Sequence, residues 1–140
     1  MQIHFRIDGA PIAQPRVKAT VRGKHAAVYD PGTANGWKAK VALESRSQRP
    51  AEPLLGEIIV SMKLYLPRPK RLCRVKDPDC ALHHTAKPDC DNLAKAILDA
   101  LTNDGWWRDD SQVCCLHVWK FYHAKGGRPG AEVTVATLDD

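Results

Sequence analysis

The stretch Asp89-Cys90-Asp91-Asn92-Leu93-Ala94-Lys95 opens a predicted helix that runs from about Cys90 to Thr102. Apolar residues recur along it at the spacing of a helix with one buried face. They are Leu93, Ile97, Ala100 and Leu101. Because side chains four residues apart share a helix face, we expect Asp91 and Lys95 side by side. The sequence therefore predicts a helix with one buried face that begins with two acids and carries a lysine one turn later.

A second pair of carboxylates follows this helix. Asp109 and Asp110 come after a short turn that contains a glycine. Mg²⁺ prefers oxygen ligands, and proteins commonly hold it with one or two carboxylates, waters and substrate phosphate. A lysine nearby can neutralise phosphate charge that the metal leaves uncompensated. With Asp89, Asp91 and Lys95 on the helix, the pattern predicts a magnesium site that cuts phosphodiester bonds.

The same residues also have a purely structural interpretation. Asp is favoured at the N-cap of a helix, where its charge is stabilising, so Asp89 could serve only as a cap. Asp91 and Lys95 could form a surface ion pair worth less than about 1 kcal/mol. Spacing alone does not separate the two interpretations, and an N-cap residue can also bind a metal.

A longer segment, from Lys87 to Val113, resembles the RusA family of Holliday junction resolvases. The resemblance consists of the pattern D-x-D-N-x-x-K, the helix end Leu98-Asp99-Ala100-Leu101, a short turn and the run Asp109-Asp110-Ser111-Gln112-Val113. Weaker similarities extend over most of the chain, at Gln14-Pro15-Arg16-Val17, Tyr29-Asp30-Pro31, Leu66-Pro67-Arg68-Pro69-Lys70 and Lys125-Gly126-Gly127. The main pattern is specific because several separated elements agree in order and in spacing.

The resemblance implies a function and a set of site residues. Asp89, Asp91 and Asp110 match the family's metal-binding carboxylates, and Lys95 matches its catalytic lysine. Cys90 is a departure, but a small thiol packs like the aliphatic residue that would be unremarkable there. The implied enzyme is a Mg²⁺-dependent, structure-selective endodeoxyribonuclease. It would resolve four-way DNA junctions by paired symmetric nicks, in recombination and repair, as a homodimer.

Two other classes of function stay open. One is a noncatalytic protein that binds branched DNA. The other is a zinc-stabilised interaction module, whose candidate ligands are Cys73, Cys80, His83, His84 and Cys90. Their spacing, C-x6-C-x2-H, is not one of the usual paired zinc patterns.

Composition favours one domain, residues 1–140, with an affinity for polyanions. The chain has a formal net charge of +5, which suits a nucleic-acid partner. No apolar run approaches 18 residues, so we expect no membrane span. The first residues lack a signal-peptide core, and the five cysteines then suggest reduced thiols and a cytoplasmic location.

Basic residues concentrate in two segments that flank the predicted metal site. Residues 9–24 are turn-rich and are expected to form a ribbon with the residues that follow. The second segment, residues 68–88, is a loop of about twenty residues, and loops that long are usually functional or mobile. The residues predicted to contact DNA are Arg16, Lys18, Arg68, Lys70 and Lys87. Between the halves of the site, Trp106 and Trp107 are expected to place at least one ring in the core, while the other could stack on a base or a partner chain.

Alternation of apolar and polar residues predicts the strands. The alternating apolar positions are Ile3, Phe5 and Ile7, then Ile58, Val60, Met62, Leu64 and Leu66, and later Val133 and Val135. A strand from Gln112 to Tyr122 is apolar on both faces, so we expect it to be central, with Cys114 and Cys115 in the core.

One further helix is predicted from about Thr33 to Ser47. Trp37 and Val41 would lie on its buried stripe, with Ala42 and Leu43 as further candidates, and the prolines at 50 and 53 end it. The order of the elements predicts an α+β fold, a two-layer sandwich of a mixed β-sheet with helices packed on it, as the resemblance to RusA also implies.

Overall fold

The structure is a computed structural model that describes residues 1–138. Its strands and helices are β1 (Gln2–Asp8), β2 (Lys18–Arg22), β3 (His25–Tyr29), α1 (Asn35–Ser45), β4 (Ile58–Leu66), β5 (Leu82–His83), α2 (Cys90–Asn103), β6 (Val113–Tyr122) and β7 (Gly130–Thr137). Among the described residues, five strands form one sheet in the order β1-β7-β4-β6-β5, in which β4 and β6 run parallel and the other neighbours antiparallel. The predicted α+β architecture, a mixed sheet with helices packed on it, is confirmed.

Strand β4 shows how the sheet separates its two faces. Its alternate residues Ile58, Val60, Met62, Leu64 and Leu66 are all buried, as predicted. The residues between them are half-buried, apart from Lys63, which is exposed. On the neighbouring strands Phe5, Ile7, Val133 and Val135 join the same core. The period of two in the sequence therefore assigned this buried face correctly.

The helices close the core on that face. In α2 the predicted residues Leu93, Ile97, Ala100 and Leu101 are buried. In α1, Trp37 and Val41 are buried as predicted, but Leu43 is 66% exposed. Leu43 follows Val41 by only two positions, which turns its side chain away from the buried stripe of a helix. The helix is also shorter than predicted, because the chain before Asn35 and after Ser45 forms turns.

Strand β6 is not the fully buried strand that its apolar composition predicts. It lies next to the edge of the sheet, and its outer neighbour β5 pairs only with Phe121 and Tyr122. Cys114 is exposed and Cys115 is half-buried, so the prediction that both lie in the core is wrong. Trp119 is 44% exposed because it pairs with Lys63, on the face of the sheet opposite the core. The apolar composition of β6 predicts a central strand, but the sequence does not show that its outer neighbour β5 is so short.

The predicted ribbon is present as β2 and β3, which form a separate two-stranded antiparallel sheet. Cross-strand pairs place Ala19 opposite Val28, and Val21 opposite Ala26. Val21 and Val28 are 72% and 69% exposed. The ribbon therefore presents its apolar residues to the surface rather than to the core.

Both tryptophans after α2 lie in the core. Trp106 is fully buried against Phe5, with ring centroids 5.1 Å apart. Trp107 is also buried, and its Nε1 donates a hydrogen bond to Thr102 Oγ1 at 2.7 Å. Neither ring is free to stack on a base, so the prediction that one of them could do so is wrong. Within residues 1–138, no helix is long and apolar enough to cross a membrane.

Candidate active site

Asp89 and Asp91 stand at the start of α2. Asp89 is the N-cap residue, and its carbonyl accepts a hydrogen bond from Leu93 N at 3.1 Å, but its side chain makes no capping hydrogen bond. Asp91 is exposed, and its Oδ1 accepts from Asn92 N at 2.9 Å. The purely capping interpretation of Asp89 is therefore not supported, since its carboxylate is not used by the helix.

Lys95 lies one turn into α2, with an exposed side chain. Its Nζ is 3.6 Å from Asp99 Oδ1, so its ion pair is with the following turn. Lys38 on α1 approaches the other oxygen of Asp99, at 3.9 Å. The ion pair considered between Asp91 and Lys95 does not form, and Lys95 keeps an accessible charge.

A capping box builds the second half of the site, the one-turn 3₁₀ helix Asp110–Gln112. Asp109 is its N-cap and accepts from Ser111 N at 3.0 Å. In return, Gln112 Oε1 accepts from the backbone N–H groups of Asp109, at 3.2 Å, and Arg108, at 2.9 Å. The pattern D-x-x-Q could have revealed this role for Gln112 from the sequence.

Gln112 also anchors the turn to the rest of the protein. Its Nε2 donates to the carbonyls of Leu54 and Gly56, at 3.1 and 3.2 Å. Before it, Gly105 adopts a φ of 87°, a backbone conformation that only glycine takes readily, which lets the chain leave α2 and turn back. The turn thus holds Asp110 at a defined place beside the helix.

The two halves meet electrostatically at Asp110. A hydrogen bond with Asp109, partial burial and the neighbouring charges of Asp109 and Asp99 raise the pKa of the Asp110 carboxyl, while Lys95 opposes that rise. The pKa of Asp109 is lowered instead, chiefly by its hydrogen bond from the Ser111 backbone. Asp110 and Lys95 thus interact across the turn, in a region with an excess of negative charge.

The carboxylates are near α2 but are not gathered around one point. Within residues 1–138, no group of three or more His, Cys, Asp or Glu side chains could hold a metal ion. The donor chemistry still fits Mg²⁺, which needs only one or two carboxylates when phosphate and water complete its shell. The excess negative charge around Asp110 also suits a cation.

The cysteines and histidines of residues 73–90 do not support the zinc alternative. Across the described residues, they form no ligand cluster. His84 is buried and packs on Tyr122, with ring centroids 4.5 Å apart. A zinc-stabilised module therefore has no ligand set in the part of the chain that the structure describes.

The N-terminal loop borders the start of α2. Gln14 N donates to Asn92 O at 2.9 Å, and Gln14 Nε2 donates to Asp30 Oδ2 at 2.9 Å. Gln14 is buried, its Oε1 makes no hydrogen bond, and it lines a pocket together with Asn92 and Lys95. Sequence reasoning assigned Gln14 no role, although it begins one of the weaker similarities, Gln14-Pro15-Arg16-Val17.

Four of the five predicted DNA-contact residues are exposed. These are Arg16, Lys18, Lys70 and Lys87. Arg16 and Lys87 line a pocket with Asp89 and Asn92, which places two cations beside the predicted metal ligands. This arrangement would favour a phosphate close to the acidic site.

Arg68 differs from the prediction. It is only 8% exposed, and its guanidinium donates to four backbone carbonyls, those of Leu72, Pro78, Cys80 and His123, at 2.7–3.4 Å. A guanidinium that uses four of its five N–H groups in this way holds the loop of residues 69–80 and is committed to the protein's own backbone. The assignment of Arg68 to DNA contact is corrected to a structural role.

The structure thus places two acids and a lysine at the start of one helix of an α+β fold. Comparison with known proteins identifies the family. The model of the family "Endodeoxyribonuclease RusA" matches residues 8–136, so the chain belongs to the RusA family. It is 35% identical to the uncharacterized protein YqaN of Bacillus subtilis strain 168, over 95% of this chain and 94% of that protein.

Named enzymes match over a shorter region. The chain is 43% identical over 60 residues to the crossover junction endodeoxyribonuclease RusA of Escherichia coli K12. The match to the enzyme of the same name from Enterobacteria phage 82 has the same identity and length. Each match covers 43% of this chain and 48% of the enzyme, so about half of those enzymes is matched.

Proposed function

We propose that this protein is a Mg²⁺-dependent, structure-selective endodeoxyribonuclease that resolves four-way DNA junctions by paired symmetric nicks. Membership of the RusA family and the similarity to crossover junction endodeoxyribonucleases support the reaction class. The proposal rests on the match of the RusA family model to residues 8–136. Asp110 stands on a 3₁₀ turn that packs beside α2, the helix whose start carries Asp89, Asp91 and Lys95.

The proposed roles follow from the family motif and from the elements that carry its residues. Asp89 and Asp91 would hold Mg²⁺ from the first turn of α2, and Asp110 from the turn beyond it. When bound, the metal would supply Lewis acidity and an activated water for attack on the phosphodiester. Lys95, which is exposed beside these acids, would neutralise charge that develops on the phosphate oxygens.

The flanking cations would bring the substrate to this acidic site. Arg16 and Lys87 lie in the same pocket as Asp89, and Lys18 and Lys70 are exposed on adjoining segments. Acidic ligands repel phosphate until cations reverse the local field. We therefore assign these four residues to backbone contacts, which position DNA without reading its sequence.

The symmetry of the substrate supports a dimer. A four-way junction is two-fold symmetric, and its resolution needs a nick in each of two strands. A C₂ homodimer would present two equivalent sites related by the same operation. We propose this assembly as the active form.

The test uses a labelled four-way junction and a linear duplex of the same sequence, each incubated with purified protein in Mg²⁺ or in EDTA. We expect paired nicks at symmetric positions in the junction, only when Mg²⁺ is present, and little cleavage of the duplex. Junction binding without cleavage in Mg²⁺ would instead favour the noncatalytic branched-DNA-binding alternative. Cleavage in EDTA would contradict the metal dependence.

A further inference from the structure

Lys120 lies on β6, outside the family motif of residues 87–113. Its side chain links that strand to the residues that precede Asp89. Its Nζ donates hydrogen bonds to the carbonyl oxygens of Ala86 and Pro88, each at 2.7 Å. Its own carbonyl accepts from His84 N at 3.1 Å. One residue of the sheet therefore holds both ends of the segment 84–88, which leads directly into the site.

Apart from these bonds and the buried ring of His84, the segment lies near the surface. Ala86 and Lys87 are exposed, and Pro88 is half-buried. Asp89 follows at once, and its side chain makes no capping hydrogen bond that would fix it from the helix side. The hydrogen bond from Lys120 to Pro88 is therefore one residue away from a proposed metal ligand.

We propose that Lys120 is a positioning residue that sets the place of Asp89 for metal binding. The inference rests on the proposed function. Hydrogen bonds from an ammonium group are short and strong, and two of them hold a backbone in one geometry. A metal ligand must be placed within about 0.5 Å of its productive position, and supporting residues supply that precision. Loss of Lys120 should therefore weaken metal binding more than it weakens DNA binding.

Lys125 provides a matched control. Its Nζ also donates to two backbone carbonyls, those of Arg74 and Asp77, each at 2.6 Å. It thus makes the same kind of contact to the same long loop, but far along the chain from Asp89. A merely structural role for Lys120 predicts that the two lysines behave alike.

The experiment compares wild type with Lys120→Met, Lys120→Arg and Lys125→Met. The first readout is amide hydrogen exchange of residues 86–93 in metal-free protein. We expect faster exchange in Lys120→Met and unchanged exchange there in Lys125→Met. The second readout is the Mg²⁺ concentration for half-maximal cleavage of a saturating four-way junction. Lys120→Met should raise it by about tenfold or more, which is typical for residues that support metal ligands.

The remaining measurements separate positioning from stability. Junction affinity in EDTA should stay within about twofold of wild type in Lys120→Met, because only one of many cations is removed. Lys120→Arg should keep most of the metal affinity, since a guanidinium can still donate to two carbonyls. Lys125→Met should lower the melting temperature without changing the Mg²⁺ requirement.

The inference is overturned if active wild type and Lys120→Met need the same Mg²⁺ concentration, or if Lys125→Met raises the requirement equally. A wild-type protein that fails to cut junctions in Mg²⁺ overturns the proposed function instead. In that case the exchange data still decide whether Lys120 holds the backbone beside Asp89.

Discussion

Lys95 and Asp99 form an ion pair along α2, with 3.6 Å between Lys95 Nζ and Asp99 Oδ1. Lys38 of α1 approaches the second oxygen of Asp99, at 3.9 Å. The Lys95 side chain nevertheless remains 59% exposed, while that of Lys38 is only 17% exposed. One acid thus has two lysine partners, and only Lys95 is well placed for a phosphate.

This relationship gives a prediction with an internal control. Lys95→Ala should lower the single-turnover cleavage rate at saturating junction by roughly a hundredfold, because it removes a cation from the place where charge develops. Junction affinity should change little. Lys38→Ala removes the other lysine contact to Asp99. It should leave the single-turnover cleavage rate within about threefold of wild type, which is a small change in activation free energy. Equal losses of affinity in the two variants, with unchanged cleavage at saturation, would make Lys95 only a binding contact.

Asp91→Asn should abolish cleavage while leaving junction binding intact or tighter. The change keeps the size of the side chain, removes the ligand charge and lessens the repulsion of phosphate. Metal ions contribute several kcal/mol to such reactions, so we expect a loss of more than about a hundredfold. Gel-shift affinity in EDTA and cleavage of labelled junction in Mg²⁺ measure the two effects. Near wild-type cutting by this variant would exclude Asp91 as an essential ligand.

Salt dependence should distinguish Lys18 from Arg68. Junction affinity should fall steeply with salt, through release of counterions from phosphates. Lys18→Ala should make the log–log slope shallower by about one unit. Arg68→Met should leave the slope unchanged but lower the free energy of unfolding by about 1–2 kcal/mol, because it leaves four partly buried carbonyls without their donor. A shallower slope in Arg68→Met would show that this residue does meet a phosphate.

The pKa of His84 reports on the segment that Lys120 holds. Burial, and then the charge of Lys120, lower the pKa of the His84 imidazole below its ordinary value. A lowered pKa favours the neutral ring in the folded protein, so this contribution to stability is present above the unfolded pKa of about 6.5 and is lost as the pH falls through the folded pKa. The free energy of unfolding should therefore decrease on acidification below about pH 6.5, in part through protonation of His84.

We expect NMR titration of wild type to place the His84 pKa below 6.5. Lys120→Met should raise it, because the variant removes the neighbouring charge. His25 lies on the exposed strand β3 and provides a reference in the same spectra. A pKa for His84 that is unchanged by Lys120→Met would show that the two side chains do not interact.

Local sequence patterns predicted most of the fold. The alternation in β4 and the apolar stripe of α2 are direct consequences of strand and helix periods, and both assigned buried faces correctly. The position of β6 could not be read in this way, since the order of strands depends on contacts between distant segments. The exposure of Leu43 was predictable from its spacing to Val41, had the helical period been applied strictly.

The candidate site was predictable where residues lie close together in the chain. Asp89, Asp91 and Lys95 share the start of α2, so their proximity follows from helical geometry. The position of Asp110 beside that helix depends on the turn at Gly105 and on the hydrogen bonds of Gln112. The family motif implies that Asp110 belongs to the site, but residue spacing alone does not show it. Lys120 and Arg68 act through hydrogen bonds to backbone carbonyls. The sequence does not distinguish a basic residue that makes such bonds from one that faces solvent.

In the proposed dimer, two equivalent metal sites, each built from α2 and the following turn, would cut the two strands of one junction. Heterodimers of wild-type and Asp110→Asn chains test it, because they contain one complete site. Asp110 is suited to this test since it reaches the site from beyond the turn, so its loss should spare the helix start at Asp89.

The measurement is the product formed from a supercoiled plasmid that extrudes a cruciform, incubated with each dimer in Mg²⁺. Wild type should give linear plasmid, since both strands are cut, and the mixed dimer should give nicked circles. The Asp110→Asn homodimer should leave the plasmid supercoiled. Linear product from the mixed dimer at the wild-type yield would rule out a mechanism in which each subunit cuts one strand, because a single site would then suffice for both cuts.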